Sequence, residues 1–435
     1  MKIKICEKTY EEVMAIPAFS HTKPVKQALF FRWLMKALSA AELKKVNFSC
    51  EKSKMESVSA EEPCLYLMNH SSFIDLKIAT TLIYPKPFHI ICTSDGFVGK
   101  KWLMTHLGCI PTRKFTMDVN MVRDMVFTLQ KLRSSILMYP EASYSFDGTA
   151  TPLPDSIGKC IKMMHVPVVM IKTKGAFHRD PLYNGLQIRD VNVSARMECV
   201  LTKEQIDSMT AAEINGCIRE QFSFDQFRWQ QDNQITVAED FRADKLNRVL
   251  YKCPACKAEG HMEGKGVLLT CKKCGKYYKL TEQGYLKAFD GNTEFAHIPE
   301  WYRWQRASVR KELEAGTYLM ELPVEIYMMV DYKAIYHVGT GNLTHTKNGF
   351  DLNGCDGKLN YHQTPESSYS LYSDFYWYEL GDMICIGDHR ALYYCFPKTE
   401  GDIVAKARLA AEELYKLKKE EKAAKTHAEV VKEYA

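Results

Sequence analysis

Cys64-Leu65-Tyr66-Leu67-Met68-Asn69-His70-Ser71-Ser72-Phe73-Ile74-Asp75 is the stretch whose reading decides the fold. Five apolar residues read as a buried strand, and a polar turn follows at its end. Open α/β sheets keep their chemistry at the carboxyl ends of strands. A second apolar run, Ile136-Leu137-Met138-Tyr139, leads into Pro140-Glu141-Ala142-Ser143. Two such strand ends point to one active site.

Five residues of helix rotate about 500°, so His70 and Asp75 cannot share a face of one continuous helix. They meet if His70 sits in the turn before a helix and Asp75 inside it, with Ser71 or Ser72 as N-cap. Asp75 then accepts from one imidazole nitrogen, and the other is free to take a proton from a hydroxyl. The helix N-terminus adds a positive end for an anion. On spacing alone, a capped turn around a hydrogen-bonded histidine is an equal reading.

The surrounding pattern is α/β. Apolar runs at 64–68, 88–92, 135–139 and 167–171 alternate with amphipathic stretches such as Val119 to Leu132. Before them, Gln27 to Leu43 reads as a helix, with Phe30, Trp33, Leu34, Ala37 and Ala41 at helical spacing. It either packs on the domain or lies in a membrane interface, with Arg32 and Lys36 at headgroups. Thr210-Ala211-Ala212-Glu213 reads as a capping box opening a helix to about Phe222, and Arg242 to Tyr251 as another helix. Trp301, Tyr302, Trp304 and Gln305 read as a docking surface between domains.

Residues 320–398 carry short β-like runs between turn signals: Gly339-Thr340-Gly341-Asn342, Asn348-Gly349, Asn353-Gly354, Gly381-Asp382 and Gly387-Asp388. That spacing predicts an all-β sandwich or barrel. A helix closes the chain from about Gly401, with Ile403, Ala407, Ala410 and Leu414 as its apolar stripe. The predicted division is 1–245, 246–310 and 311–435.

With 435 residues the chain exceeds one ordinary core. Its 46% hydrophobic and 26% charged content is that of globular proteins, and its net charge of +5 permits an anionic substrate or membrane surface without demanding either. No apolar run reaches the roughly 18 residues of a spanning helix. Met1 to Cys6 has no apolar signal region, which predicts a cytoplasmic protein. Of 15 cysteines, all but four are scattered, as small core residues are in a reducing compartment.

Four ordered blocks resemble the PlsC-like glycerolipid acyltransferases, the family that includes the 1-acylglycerol-3-phosphate acyltransferases. Asn69-His70 to Asp75 matches its His-x4-Asp motif. Gly108-Cys109-Ile110-Pro111-Thr112-Arg113 is similar to its second block, Tyr139-Pro140-Glu141-Ala142-Ser143-Tyr144-Ser145 to its third, usually Phe-Pro-Glu-Gly-Thr-Arg-Ser, and Val166-Pro167-Val168 to its fourth. The resemblance covers roughly residues 20–200. It implies transfer of an acyl chain from acyl-CoA or acyl carrier protein to a lysophospholipid hydroxyl in phospholipid biosynthesis, without an acyl-enzyme. His70 would be the general base and Asp75 its orienting group. Arg113, with Lys114 beside it, would bind acceptor phosphate; Glu141 and Ser143 would hold the acceptor, with Glu141 alternatively bracing the site. The protein would be peripheral to the inner face of the plasma membrane.

The third block departs from the pattern: Ala142 stands for glycine, Ser143 for threonine and Tyr144 for arginine. Losing that arginine removes a cation from where the family contacts phosphate, so another lysophospholipid or lipid alcohol is compatible. Lys100, Lys101 and Lys114 are candidates to compensate.

Cys253-Pro254-Ala255-Cys256 and, after 14 residues, Cys271-Lys272-Lys273-Cys274 are two metal knuckles. Four thiolates fill a tetrahedral zinc site and leave no open position, so the role predicted is structural. The ribbon's lysines suit a solvated face or an acyl carrier protein contact better than nucleic acid. The C-terminal segment weakly resembles a pleckstrin-homology-like module in element order. The competing reading of the whole chain is a zinc-ribbon lipid-binding or scaffold protein on a degenerate acyltransferase fold.

Overall fold

The computed structural model describes residues 3–17, 21–115, 118–399 and 401–433, with side chains to residue 426. Strand β1 (Ile5–Glu7) is taken up far along the chain. The central sheet holds β2 (Ser49–Ser53), β3 (Leu65–Met68), β4 (Phe88–Thr93), β5 (Cys109–Thr112), β6 (Ser135–Met138), β7 (Val168–Lys174) and β8 (Ser194–Leu201) in the order β2-β8-β7-β3-β6-β4-β5. All pairings are parallel except β7 with β8. β3 is buried at every residue, as a parallel strand covered on both faces must be, which explains its unbroken apolar run. β3 and β6 are neighbours in register, Leu67 opposite Met138. That pairing brings the turn after Met68 beside the turn after Tyr139.

A small antiparallel sheet follows: β9 (Met262–Lys265), β10 (Leu268–Cys271), β11 (Tyr277–Leu280) and β12 (Leu286–Ala288). The chain ends in a β-rich region of β13 (Met320–Met329), β14 (Ile335–Thr346), β15 (Gly349–Gly354), β16 (Leu359–Gln363), β17 (Tyr372–Trp377), β18 (Gly381–Gly387) and β19 (Leu392–Pro397). Their order is β16-β15-β14-β13-β19-β18-β17, and β1 joins β14 in parallel. The helix Ile403–Glu433 packs across it.

Two local expectations need correction. Gly339-Thr340-Gly341-Asn342 is not a turn but the middle of β14. A Cβ on Gly341 would stand 2.4 Å from the Asn353 carbonyl oxygen, so this glycine serves close strand approach. The helix predicted over Arg242–Tyr251 reduces to a single turn, Leu246–Arg248. Its backbone is drawn to the small sheet instead: Ala243 and Lys245 donate to the carbonyls of Gly266 and Gly264. The capping box at Thr210 and Glu213 is present at the head of Ala211–Gln221.

The helix predicted at Gln27–Leu43 spans Leu29–Lys45. Arg32 donates to the Pro85 carbonyl and Lys36 lies over the Tyr84 ring, so both cations turn toward the domain. Phe30, Trp33 and Leu38 are exposed. Among the described residues no helix is long and apolar enough to cross a membrane.

One apolar cluster runs from Phe146 and Phe177 through the small sheet to Trp301, the β-rich region and Leu414. Trp301 lies inside it with no exposed surface and donates its indole N–H to the Lys252 carbonyl. Trp301→Ala should therefore cost about 3–5 kcal/mol, as large core truncations do. Urea denaturation checks this, and an unchanged midpoint would contradict it.

Candidate active site

The turn after β3 places His70 just before the helix Asp75–Ile83. Asp75 is fully buried, and its Oδ2 accepts from the backbone N–H of Ser71 at 2.7 Å and of Ser72 at 3.0 Å. The same oxygen lies 3.2 Å from His70 Nδ1. A carboxylate can only accept, so Nδ1 carries the proton and Nε2 is left bare as a base. The two residues meet as the turn-then-helix geometry required, but neither serine is the N-cap: that position is Ile74, without a side-chain cap, and Ser71 and Ser72 instead give backbone donors to Asp75.

Aromatic rings enclose the imidazole. Tyr139 stacks on one face at 4.1 Å between ring centroids and Tyr144 on the other at 3.9 Å. Phe73 adjoins the outer face of Tyr144 and is itself exposed. The His70 side chain keeps 18% of its surface. Burial pushes its pKa below the ordinary value, against the opposing pull of Asp75 and with a smaller push from the Lys114 charge. The base is therefore neutral at pH 7.

Glu141 braces the two turns. Its Oε2 accepts from the His70 backbone N–H at 3.1 Å and its Oε1 from that of Thr151 at 2.8 Å. Both oxygens are thus engaged by backbone, and burial pushes the carboxyl up to about 8. Ser145 N–H donates to the His70 carbonyl, closing the junction from the other side. Beneath it, Ser72 donates its hydroxyl to Asp180, which is also held by Arg179 at 2.9 Å.

Ser143 and Tyr144 meet a residue that the sequence reading did not single out. Arg408, buried on the closing helix, donates to Ser143 Oγ at 2.6 Å, the Tyr144 carbonyl at 3.2 Å, and Ser373 Oγ and carbonyl at 3.1 and 2.7 Å. Its guanidinium lies 3.5 Å from the Phe146 ring centroid. No local signal marked it: Arg408 lies one turn from buried Val404 and one turn from buried Glu412, on a helix rich in both charges.

Arg113 and Lys114 diverge, as successive residues past a strand end do. Arg113 Nη1 donates to the Asp388 carbonyl at 2.8 Å, and its side chain lines a cavity of about 380 Å³ that does not include His70. The Lys114 ammonium lies 4.2 Å from the Tyr372 ring centroid, with the charges of Asp374, Asp95 and Arg408 acting on it. Lys101 also lines the Arg113 cavity. The two cations expected to share one phosphate are therefore engaged by different partners.

Ala142 has φ of +53°, in the left-handed region where glycine is at ease. The turn that carries Glu141 needs this conformation, and an L side chain there costs roughly 1–2 kcal/mol. Ala142→Gly should raise thermal stability; a lowered midpoint in calorimetry would contradict that strain.

The thiols of Cys253, Cys256, Cys271 and Cys274 all lie within 4.8 Å of one another. Cys253 and Cys274 sulfurs are 3.8 Å apart, and Cys256 and Cys271 sulfurs 3.7 Å. A tetrahedron with metal–sulfur bonds of about 2.3 Å has edges of about 3.8 Å, so the donor set fits zinc. A bound zinc would cross-link the two knuckles and leave no coordination position for substrate. Chelator treatment should expose 250–310 to protease; unchanged protection would contradict a structural ion.

Residues 47–173 match the family model described as Acyltransferase. A chloroplastic 1-acyl-sn-glycerol-3-phosphate acyltransferase of Brassica napus is 30% identical over 122 residues, 27% of this chain. The match spans about a third of that relative's own length, 34%. The crystal structure of the 1-acyl-sn-glycerophosphate acyltransferase PlsC from Thermotoga maritima aligns with 44% of this chain and 76% of its own, at 14% identity and a TM-score of 0.36.

Proposed function

With an Acyltransferase-family domain over residues 47–173, we propose that the protein transfers a fatty acyl chain from a thioester donor, acyl-CoA or acyl carrier protein, to the hydroxyl of a lysophospholipid. The observation that carries this reading is the His70–Asp75 pair: a buried carboxylate on Nδ1 and a bare Nε2 between two rings.

The acceptor hydroxyl approaches His70 edge-on, since Tyr139 and Tyr144 cover the ring faces. Nε2 takes its proton as the oxygen forms a bond to the thioester carbonyl carbon. The carbon–sulfur bond then breaks, and the imidazolium returns its proton to the departing sulfur. Asp75 supports the transient imidazolium, and the two tyrosine faces favour it as rings favour any cation. Lys114 is the cation on the His70 side and would receive the acceptor's anionic headgroup. Arg113, drawn to Asp388, is the weaker candidate despite its place in the second block. Zinc at the four cysteines would be structural, joining the acyltransferase segment to the β-rich region. Exposed Phe30, Trp33 and Leu38, with Trp102 and Phe73, would dip into the membrane that carries the lipid substrate.

The close cover of Tyr144 over His70 favours a second reading, a lipid-binding protein on an acyltransferase fold. Thiol release from acyl-CoA and acyl carrier protein, with glycerol 3-phosphate, lysophosphatidate and neutral lysolipids as acceptors, separates the two. Acceptor-dependent release should fall by about 10²–10⁴ in His70→Ala, the usual worth of a positioned base. Lipid binding without release from folded wild type would install the second reading.

The pH profile follows from the neutral base. Activity falls as pH drops through the His70 pKa, and burial moves that limb below the ordinary value of about 6.5. An acid limb above 6.5 in kcat/KM would contradict a buried base.

A further inference from the structure

The third block's missing arginine leaves Tyr144 over His70, and the structure supplies an arginine to the same turn from 264 residues away. Arg408 has five N–H donors, and four contacts to Ser143, Tyr144 and Ser373 occupy its Nε, Nη1 and Nη2. It is 2% exposed and lies flat against Phe146. It therefore has little capacity left to hold a substrate. Its bonds instead join two segments, Ser143-Tyr144 of the acyltransferase domain and Ser373 of β17.

That junction bears directly on the base. The Tyr144 ring lies between His70 and the exposed Phe73 and packs against the edge of the large apolar cluster. The Tyr144 backbone is held by the Arg408 fork at its carbonyl, by the Ser145 N–H bond to the His70 carbonyl and by the turn at Ala142. Without the fork, the buried hydroxyl of Ser143 and the Tyr144 carbonyl lose a charged donor, and the turn that aims the ring at the imidazole loses its anchor on the β-rich side.

We propose that Arg408, carried by the C-terminal helix, is a positioning residue of the acyl-transfer site: it anchors Ser143-Tyr144 so that the Tyr144 ring closes over His70. The inference rests on the function proposed above for the site itself. It makes the β-rich region and its helix part of the site's architecture, because the third block is held from two sides, by His70 and Thr151 within the acyltransferase segment and by Arg408 from the closing helix. Lysine does not substitute. An ammonium is a single point on a flexible stem and cannot bond Ser143, Tyr144 and Ser373 at once.

The test is carbethoxylation of His70 in the full-length protein by diethylpyrocarbonate at neutral pH, followed by mass spectrometry of the peptide that contains it. Arg408→Met, Arg408→Lys and Tyr144→Leu are compared with wild type. His89 and His178, buried and out of contact with Arg408, serve as internal references. In the Tyr144→Leu and both Arg408 variants the His70 rate should rise about tenfold or more, the shift that losing a hydrogen bond to a charged group produces, with the references unchanged. Arg408→Lys keeps the charge and so guards against simple failure to fold. Rates at His70 equal to wild type in the Arg408 variants would overturn the proposal. So would a rise shared equally by all three histidines, which is what a merely structural role predicts. Thiol release measured on the same samples reads separately: selective uncovering of His70 without transfer in wild type upholds the anchor and defeats the acyl-transfer reading.

Discussion

One oxygen of Asp75 organises the site. Its Oδ2 gathers the N–H groups of Ser71 and Ser72 and the Nδ1 of His70, all from the turn that links β3 to the next helix. Hydrogen bonds to a charged acceptor are worth about 1.5–3 kcal/mol each, so the turn and the tautomer are fixed by the same group. Those donors replace water at Oδ2 and the helix N-terminus favours the charge, while Oδ1 is buried without a hydrogen-bond partner. Remove the carboxylate, and both the shape of the turn and the direction of the base are lost.

The second constraint is enclosure. Tyr139 and Tyr144 hold the imidazole as a neutral group in a setting where its charged form is still supported from three sides, by the Asp75 carboxylate and two ring faces. A base that is uncharged at rest and stabilised once protonated suits proton abstraction from a hydroxyl. The chain reaches this arrangement with Tyr144 in the turn after Glu141. It then brings an arginine to the same turn from the closing helix. The β-rich region is locked to the domain elsewhere too. Tyr372 and Trp377 both donate to Asp95, and Arg390 to the carbonyls of Met14 and Ile16.

Much of this was legible from local chemistry. The strands at 65–68, 88–93, 135–138 and 168–174 announce themselves because their buried segments are runs of apolar residues, as strands covered on both faces are. The His70–Asp75 meeting follows from helical geometry, and the four-cysteine cluster from knuckle spacing. What the sequence hid is non-local. Glycines at 339 and 341 look like a turn, but one of them allows two strands to approach. Arg242 to Tyr251 has helical spacing, yet its N–H groups pair with the β9 hairpin edge. β1 pairs with β14 across more than three hundred residues, with no pattern in either to foretell it. Arg113 and Lys114 are neighbours in sequence, and nothing in it foretells that one donates to the Asp388 carbonyl while the other lies over the Tyr372 ring. Arg408 looks like one basic residue in a basic helix until Ser143 and Ser373 are seen around it.

The central claim is that His70 rests as a neutral imidazole with its proton on Nδ1, held by Asp75, and with Nε2 bare. Nitrogen-15 NMR of histidine-labelled protein, with His70→Ala used to assign the signals, reads tautomer and titration together. The account predicts the Nδ1–H tautomer for His70 and a midpoint below the ordinary value of about 6.5. An Nε2–H tautomer, or a midpoint above that value, would contradict it.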